Sequence, residues 1–178
     1  MDADINLIER YLNGDLAAID ELVTKYQKQI YAFVYRMTED IEDAKDLTQK
    51  TFIKAFNGIK GFKKKSSFKT WLYQIAINTS INHLRQNKHT KTELEDSLAE
   101  NRKEVLTEII EKEDKGLIKK AMKRLPERQK TAVILRVYNE LSCIEAAEAM
   151  GCSEGAVKSH YHNGVKKLRE LLRGDGMA

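Results

Sequence analysis

An all-α fold is predicted by three observations. Apolar residues recur at intervals of three and four almost throughout the chain, and no stretch alternates apolar and polar residues as a half-buried strand does. Turn formers are scarce, with one proline and nine glycines in 178 residues, fewer than a sheet-rich chain needs. A hydrophobic fraction of 42% suits a chain with real cores, and the charge pattern divides it in three. Residues 1–87 hold 13 Lys/Arg against 11 Asp/Glu, residues 88–114 hold 5 against 9, and residues 115–178 hold 13 against 7. The expected architecture is two small helical domains, 1–87 and 115–178, joined by a flexible acidic linker, 88–114.

Each element has its own signal. Leu7, Ile8, Tyr11 and Leu12 share a face and predict a short first helix that closes near Gly14. Ile19, Leu22, Val23, Tyr26, Ile30, Phe33, Val34 and Met37 predict a longer second helix. Ala44, Leu47, Thr51, Phe52, Ala55 and Phe56 predict a third, ending near Gly58. Gly61 to Ser67 reads as a loop, and Ser67 or Thr70 is placed to cap a fourth helix that runs to about Arg85. Lys88 to Asp114 is polar and sparse in large apolar groups as far as Val105, and the linker is expected to turn helical after Asn101.

A second helical set runs from about Leu117 to Leu172. Pro126 suits the first turn of a helix carrying Ala132, Val133 and Leu135. Ser142 and Glu145 have the spacing of a capping box, and the short helix they start ends at Met150. Gly151 can take the left-handed conformation that closes it, and Ser153 caps the next helix. A short helix, a glycine turn and a longer basic helix make a helix-turn-helix, whose second helix enters a DNA major groove. Ser153, Glu154, Lys158, Ser159, His160, His162, Asn163, Lys166 and Lys167 are the candidate DNA-facing residues of that helix, while Ala156, Val157, Val165 and Leu168 pack inward. Ala146, Ala147 and Gly151 are small where two helices must cross closely.

Several functions are disfavoured. No run approaches the roughly 18 to 20 apolar residues that span a bilayer, and Met1 to Gly14 lacks a leader pattern, so a cytoplasmic protein is expected. Two cysteines, Cys143 and Cys152, imply no disulfide framework, and their spacing from His160 and His162 matches no compact zinc pattern. Neither metal nor cofactor is expected.

The segment KKKSSFKTWLYQIAINTSINHLRQNK, residues 63–88, contains no acid, and none occurs from Leu47 to Thr92, where ten residues are Lys or Arg. A single-sign block of this length suits a polyanion. On a helix, Trp71, Gln74, Asn78, Asn82 and Arg85 fall within about 80° of one another, so indole, amides and guanidinium form one stripe. The loop before it carries Lys63, Lys64, Lys65, Ser66, Ser67, Phe68 and Lys69. Lysines suit phosphates, amides suit base edges, and aromatic rings suit unstacked bases, which together favour locally opened nucleic acid. For Trp71 and Phe68 taken singly, a place in the core at the loop–helix junction fits the sequence equally well.

Three segments, DAKDLTQKTFIKAF, SSFKTWLYQIAIN and LPERQKTAVILRVYNELSCIEAAEAMGCSEGAVKSH, in this order and spacing, resemble the extracytoplasmic-function sigma factors. These are the small two-domain members of the main bacterial sigma family. The resemblance runs from about Ala18 to Leu172. It implies a non-enzymatic subunit that binds core RNA polymerase and directs it to promoters. It further implies that the helix with Asp43, Asp46, Gln49, Lys50, Phe52 and Ile53 docks on the clamp helices of the largest polymerase subunit. The second domain would meet the flap of the second-largest. By the same resemblance, the Lys63–Lys69 loop and the Trp71 stripe would read a melted −10 element, and the last helix a duplex −35 element. The acidic linker would run towards the active site, and an anti-sigma factor would act as inhibitor. His160 and Asn163 stand where arginines are common in the family.

Two other functions compete. A self-sufficient helix-turn-helix regulator would bind duplex DNA tightly without polymerase. A single-strand nuclease would need clustered carboxylates along the basic track, and Leu47 to Thr92 has none.

Overall fold

The computed structural model describes residues 3–91 and 109–174. Among them the chain forms α1 (Ala3–Leu12), α2 (Ala17–Thr38), α3 (Ile41–Gly58), α4 (Phe68–Lys91), α5 (Ile109–Lys123), α6 (Glu127–Val133), α7 (Cys143–Met150) and α8 (Glu154–Gly174), with no strand. A 3₁₀ turn, Ile59–Gly61, follows α3, and a π-helical turn, Ile134–Tyr138, follows α6. The central part of the expected linker, 92–108, lies outside the described residues, as does the predicted onset of helix after Asn101.

The first four helices pack as one layer on another around Ile8, Leu22, Ile30, Phe33, Leu47, Ala55, Phe68, Leu72 and Tyr73, all at most 2% exposed. Burying a side chain of this size contributes roughly 1.5 to 3 kcal/mol relative to leaving it exposed. Local chemistry sets the ends. Asp40 caps α3, its side chain accepting from the Asp43 backbone N–H at 2.8 Å. Ser67, rather than Thr70, caps α4, accepting from the Thr70 N–H at 3.0 Å. Asp4, buried in the first turn of α1, is bonded to Lys25 and Tyr26 of α2, which fixes the first helix on the second.

In the C-terminal half the predicted signals appear where expected. Ser142 and Glu145 form a reciprocal capping box on α7, Gly151 closes it at φ +60°, and Ser153 accepts from the Ala156 N–H at 3.1 Å to start α8. The Ser142 backbone N–H and hydroxyl hold the Glu145 carboxyl below its ordinary range. The helix expected to continue past Val133 instead widens into the π turn, and Glu140 takes φ +55° after it.

The halves are not separate. The core runs without interruption from Ile8 to Val157, because α7 packs on α4 and the π turn packs on α2. Tyr73, 0% exposed in α4, accepts a hydrogen bond from the Asn139 amide at 2.8 Å. Burial raises its phenol from 10.0 to about 12, because the anion has no water there. The neutral phenol therefore favours the folded state, fully so below the ordinary value of 10.0, and this contribution is lost as pH rises through about 12. Wild type is expected to lose about 2 to 3 kcal/mol more than Tyr73→Phe across that window. Urea unfolding of both proteins from about pH 9 to about pH 12 checks it; parallel curves would remove Tyr73 from the account.

Candidate functional site

Three outward surfaces carry the predicted chemistry. The first is the loop and stripe at the start of α4. Ser67 sits where the chain must turn into a helix, and Phe68 points inward from the first helical position. Phe68 is 0% exposed, with its ring 5.7 Å from Tyr26 and 6.1 Å from Phe62. It is a core residue, and the expectation that it contacts nucleic acid is corrected: no base can reach a ring enclosed on every side. Trp71 is half-buried, its ring 5.1 Å from Phe62 and 5.9 Å from Phe68, and it lies over Gly58, where an added Cβ would meet the indole at 3.7 Å. One part of the indole is packed while the rest faces out.

Asn78, Asn82 and Arg85 are exposed and Gln74 is half-buried, so the stripe forms the solvent side of α4 opposite Tyr73, Ala76 and Ser80. Lys63, Lys64 and Lys65 are exposed and Ser66 is half-buried. Lys64 adopts φ +53°, a conformation costly for a residue with a Cβ, and its ammonium meets Glu9 of α1 at 2.7 Å. Lys69 departs from the predicted set. It is half-buried and lies on the Tyr73 side of α4, where its charge acts on Glu145 of α7. Arg85 keeps its place on the stripe but pairs with Glu127 of α6 at 3.5 Å.

The second surface is a groove of about 790 Å³ between α2 and α3, lined by Val23, Gln27, Tyr31, Lys45, Gln49, Phe52, Ile53 and Phe56, among others. Ile53 is 52% exposed there, while Phe52 is 7% exposed. Asp46 and Lys50 are exposed and pair with each other at 2.7 Å. Asp43, at the start of α3, receives the His83 imidazole of α4 at 2.8 Å. Sequence reasoning missed Val23 and Tyr31, which line the groove from α2, and His83, which meets Asp43 from α4: each lies on a different helix from the docking motif.

The third surface is α8. Ser153, Glu154, Lys158, Ser159, His162, Asn163 and Lys166 are exposed, and His160 and Lys167 are half-buried. Glu154 pairs with Lys158 at 2.6 Å, and Asn163 donates to Ser159 at 3.4 Å. Val157 and Gly164 turn inward. The face is thus a row of small polar, imidazole and ammonium groups on a capped helix seated by α6 and α7, a shape that suits a groove carrying phosphates along both walls. Cys143 and Cys152 are free thiols, half-buried at the two ends of α7. Among the described residues no helix is long and apolar enough to cross a membrane.

Two family models match the chain in successive segments. Residues 22–90 match the family described as Sigma-70 region 2, and residues 115–168 match Sigma-70, region 4. The RNA polymerase sigma-H factor of Pseudomonas aeruginosa is 35% identical, over 96% of this chain and 96% of its own. The ECF RNA polymerase sigma factor SigW of Bacillus subtilis is 31% identical over 93% and 95% respectively. Among solved structures, the sigma factor RpoE in complex with the anti-sigma factor NepR from Bartonella quintana superposes with a TM-score of 0.68 at 26% identity, covering 86% of this chain and 96% of that one. CnrH in complex with the cytosolic domain of CnrY shares the fold, with a TM-score of 0.76 at 21% identity over 98% of this chain and 100% of that one. Matched in both regions, and along nearly its whole length by relatives of 35% and 31% identity, the chain belongs to the extracytoplasmic-function sigma factors of RNA polymerase.

Proposed function

We propose that the chain binds core RNA polymerase through the α2–α3 groove, reads a melted −10 element with the lysine loop and the exposed stripe of α4, and reads a −35 element with α8. It works as a specificity subunit in the cytoplasm, has no catalytic activity of its own, and is restrained by an anti-sigma factor. The observation that carries this reading is the separation of chemistries on one chain. The exposed lysines of the 63–65 loop and the exposed amides of α4 form one surface, while a largely apolar groove between α2 and α3, edged by Lys28 and Lys45, forms another, with Asp43 and Asp46 carried on α3. Lysines gain affinity by releasing counterions from phosphates, and amides gain specificity at base edges. A half-exposed Ile53 flanked by polar groups suits a protein partner, since an apolar contact with a charged rim is the common anatomy of such interfaces.

Run-off transcription with core polymerase on fragmented genomic DNA tests the proposal. Discrete new transcripts sharing two upstream sequence elements are expected. Tight duplex binding by the chain alone, with no effect on polymerase, would support the self-sufficient regulator instead. Asp46→Arg separates the docking face from the DNA faces. Its exposed pair with Lys50 is worth less than about 1 kcal/mol to the fold. Polymerase binding is expected to weaken about tenfold or more through charge reversal at an interface, with helicity unchanged. Unchanged affinity in a pull-down titration would remove Asp46 and its neighbours from the docking surface.

A further inference from the structure

We propose that the chain carries a binding site for a small planar aromatic acid, where the end of α2, the helix α5 and the π turn meet. The ligand class is a flat ring system with a carboxylate at one end and a ring N–H or O–H donor. The proposal is independent of the polymerase and promoter assignments above, and it is tested on the chain alone.

The site is a cavity of about 380 Å³. That volume holds one small molecule and not a folded partner, and an apolar wall with a few placed polar groups is the usual make-up of a ligand pocket. Ile118 and Met122 of α5 and the rings of Tyr35 and Tyr138 form the apolar wall. Ile118 is 38% exposed and Tyr138 44% exposed, so both are open to an incoming ring, while Met122 at 6% lies deeper. Aromatic side chains stack on a flat ring, and the adaptable thioether of methionine packs against its edge.

The polar groups of the cavity carry an unmatched positive charge. The Arg36 guanidinium lies 4.3 Å from the centre of the Tyr138 ring and donates to the Ala32 carbonyl at 3.1 Å. The Lys119 ammonium lies 5.4 Å from the centre of the Tyr35 ring and donates to the Tyr35 hydroxyl at 3.3 Å. Glu39, the one carboxylate on the cavity wall, is already matched by Lys130 at 3.0 Å and Lys123 at 3.3 Å. Among the described residues, neither Arg36 nor Lys119 meets a carboxylate. Two cations held on aromatic rings thus border one apolar cavity without an anion. A ligand carboxylate supplies it through charge-assisted hydrogen bonds.

A second observation asks for a donor on the same ligand. The Glu39 side chain is 6% exposed, and its Oε2 is buried and accepts no hydrogen bond, although the Lys123 ammonium stands nearby. A buried acceptor left unpaired is costly, and a ring N–H or O–H satisfies it. A neutral apolar molecule would answer neither feature, and an amine would be repelled by Arg36 and Lys119.

The test uses the full chain with its Met and Ile methyl groups labelled for NMR, and indoleacetate as the probe. One-to-one binding is expected by calorimetry with a Kd on the order of 1 mM or tighter, the range for a ligand of this size. Contacts should appear from the indole ring to the methyls of Met122 and Ile118. Indoleacetamide, which lacks the charge, should bind about tenfold more weakly, and naphthylacetate, which lacks the N–H, about fivefold. Lys119→Met and Arg36→Gln should each weaken indoleacetate about tenfold. Lys119 is exposed, so its loss leaves the fold intact, and circular dichroism checks Arg36→Gln. Ile53→Asp, in the α2–α3 groove, should leave the affinity unchanged. Absence of saturable binding overturns the proposal, as do methyl contacts at Ile53 in place of Met122. Equal affinity for indoleacetate and indoleacetamide overturns it too, since the two cations would then hold no ligand anion.

Discussion

Trp71→Ala is expected to slow promoter opening roughly 5- to 150-fold while changing polymerase affinity by no more than about twofold. The size follows from stacking: an unstacked base on an aromatic side chain is worth roughly 1 to 3 kcal/mol, and each 1.4 kcal/mol is a factor of ten. The direction follows from geometry. The indole is held on one side by Phe62, Phe68 and Gly58, which fixes its plane, and the half-buried ring leaves its other part to solvent. A platform fixed in advance does not spend binding energy on ordering itself. The groove proposed for polymerase docking lies on α2 and α3, and Trp71 does not line it. Fluorescence of a base analogue in the −10 strand reads opening, and a competition titration reads polymerase affinity. Trp71→Phe should recover most of the opening rate, because it keeps a ring on the same support. Equal loss in both assays for Trp71→Ala would place the indole with Phe68, as a core residue whose removal loosens the whole first half.

That contrast shows where the sequence was legible and where it was not. The stripe was legible because a helix places every third or fourth residue together, and Asn78, Asn82 and Arg85 do face solvent. Phe68 and Lys69 were not, because they lie at the first turn, where the direction of a side chain depends on the angle at which the loop enters. Tyr26 of α2 and Phe62 of the loop before α4 supply the pocket that draws Phe68 inward, and neither belongs to the helix that carries it. The caps at Ser142, Gly151 and Ser153 were legible for the opposite reason: each satisfies backbone groups within three residues of itself.

The contact between halves left no periodic signal. Lys130 and Asn139 of the C-terminal half meet Glu39 and Tyr73 of the other half, and three backbone positions in the chain break the usual sequence rules. Glu39, Lys64 and Glu140 take positive φ without being glycine. Such conformations persist only where surrounding contacts over-determine them. For Glu39 those contacts come from Lys123 and Lys130, more than eighty residues further along the chain. The caps are set by neighbouring residues, while the packing that joins the two halves depends on pairs no local window contains.

The second large effect is expected from Gly164→Val, at a position that periodicity alone assigns no special role. Gly164 is buried in α8, where α8 crosses α6. A Cβ there would stand 2.9 Å from a Val133 methyl, 3.2 Å from the Gln129 carbonyl oxygen and 3.4 Å from the Gln129 Cβ. The Gln129 oxygen belongs to helix backbone and cannot step aside without moving α6, and Val133 is itself 3% exposed, with little room to turn. Gly164→Ala also gains up to about 1 kcal/mol of helix propensity, which offsets part of the roughly 1 to 3 kcal/mol cost of overpacking. Valine adds two methyls and regains less propensity, so Gly164→Val should lose about 2 to 4 kcal/mol and lower the thermal midpoint by several degrees. Because α8 is set by this crossing, −35 binding should fall with stability, while the docking groove on α2 and α3 keeps its shape. The decisive variant is the double one. Val133→Ala removes the methyl that meets the new Cβ, so Gly164→Ala in that background should cost less than it does alone. Strict additivity of the two losses would mean that the close approach at Gly164 does not limit how α8 packs.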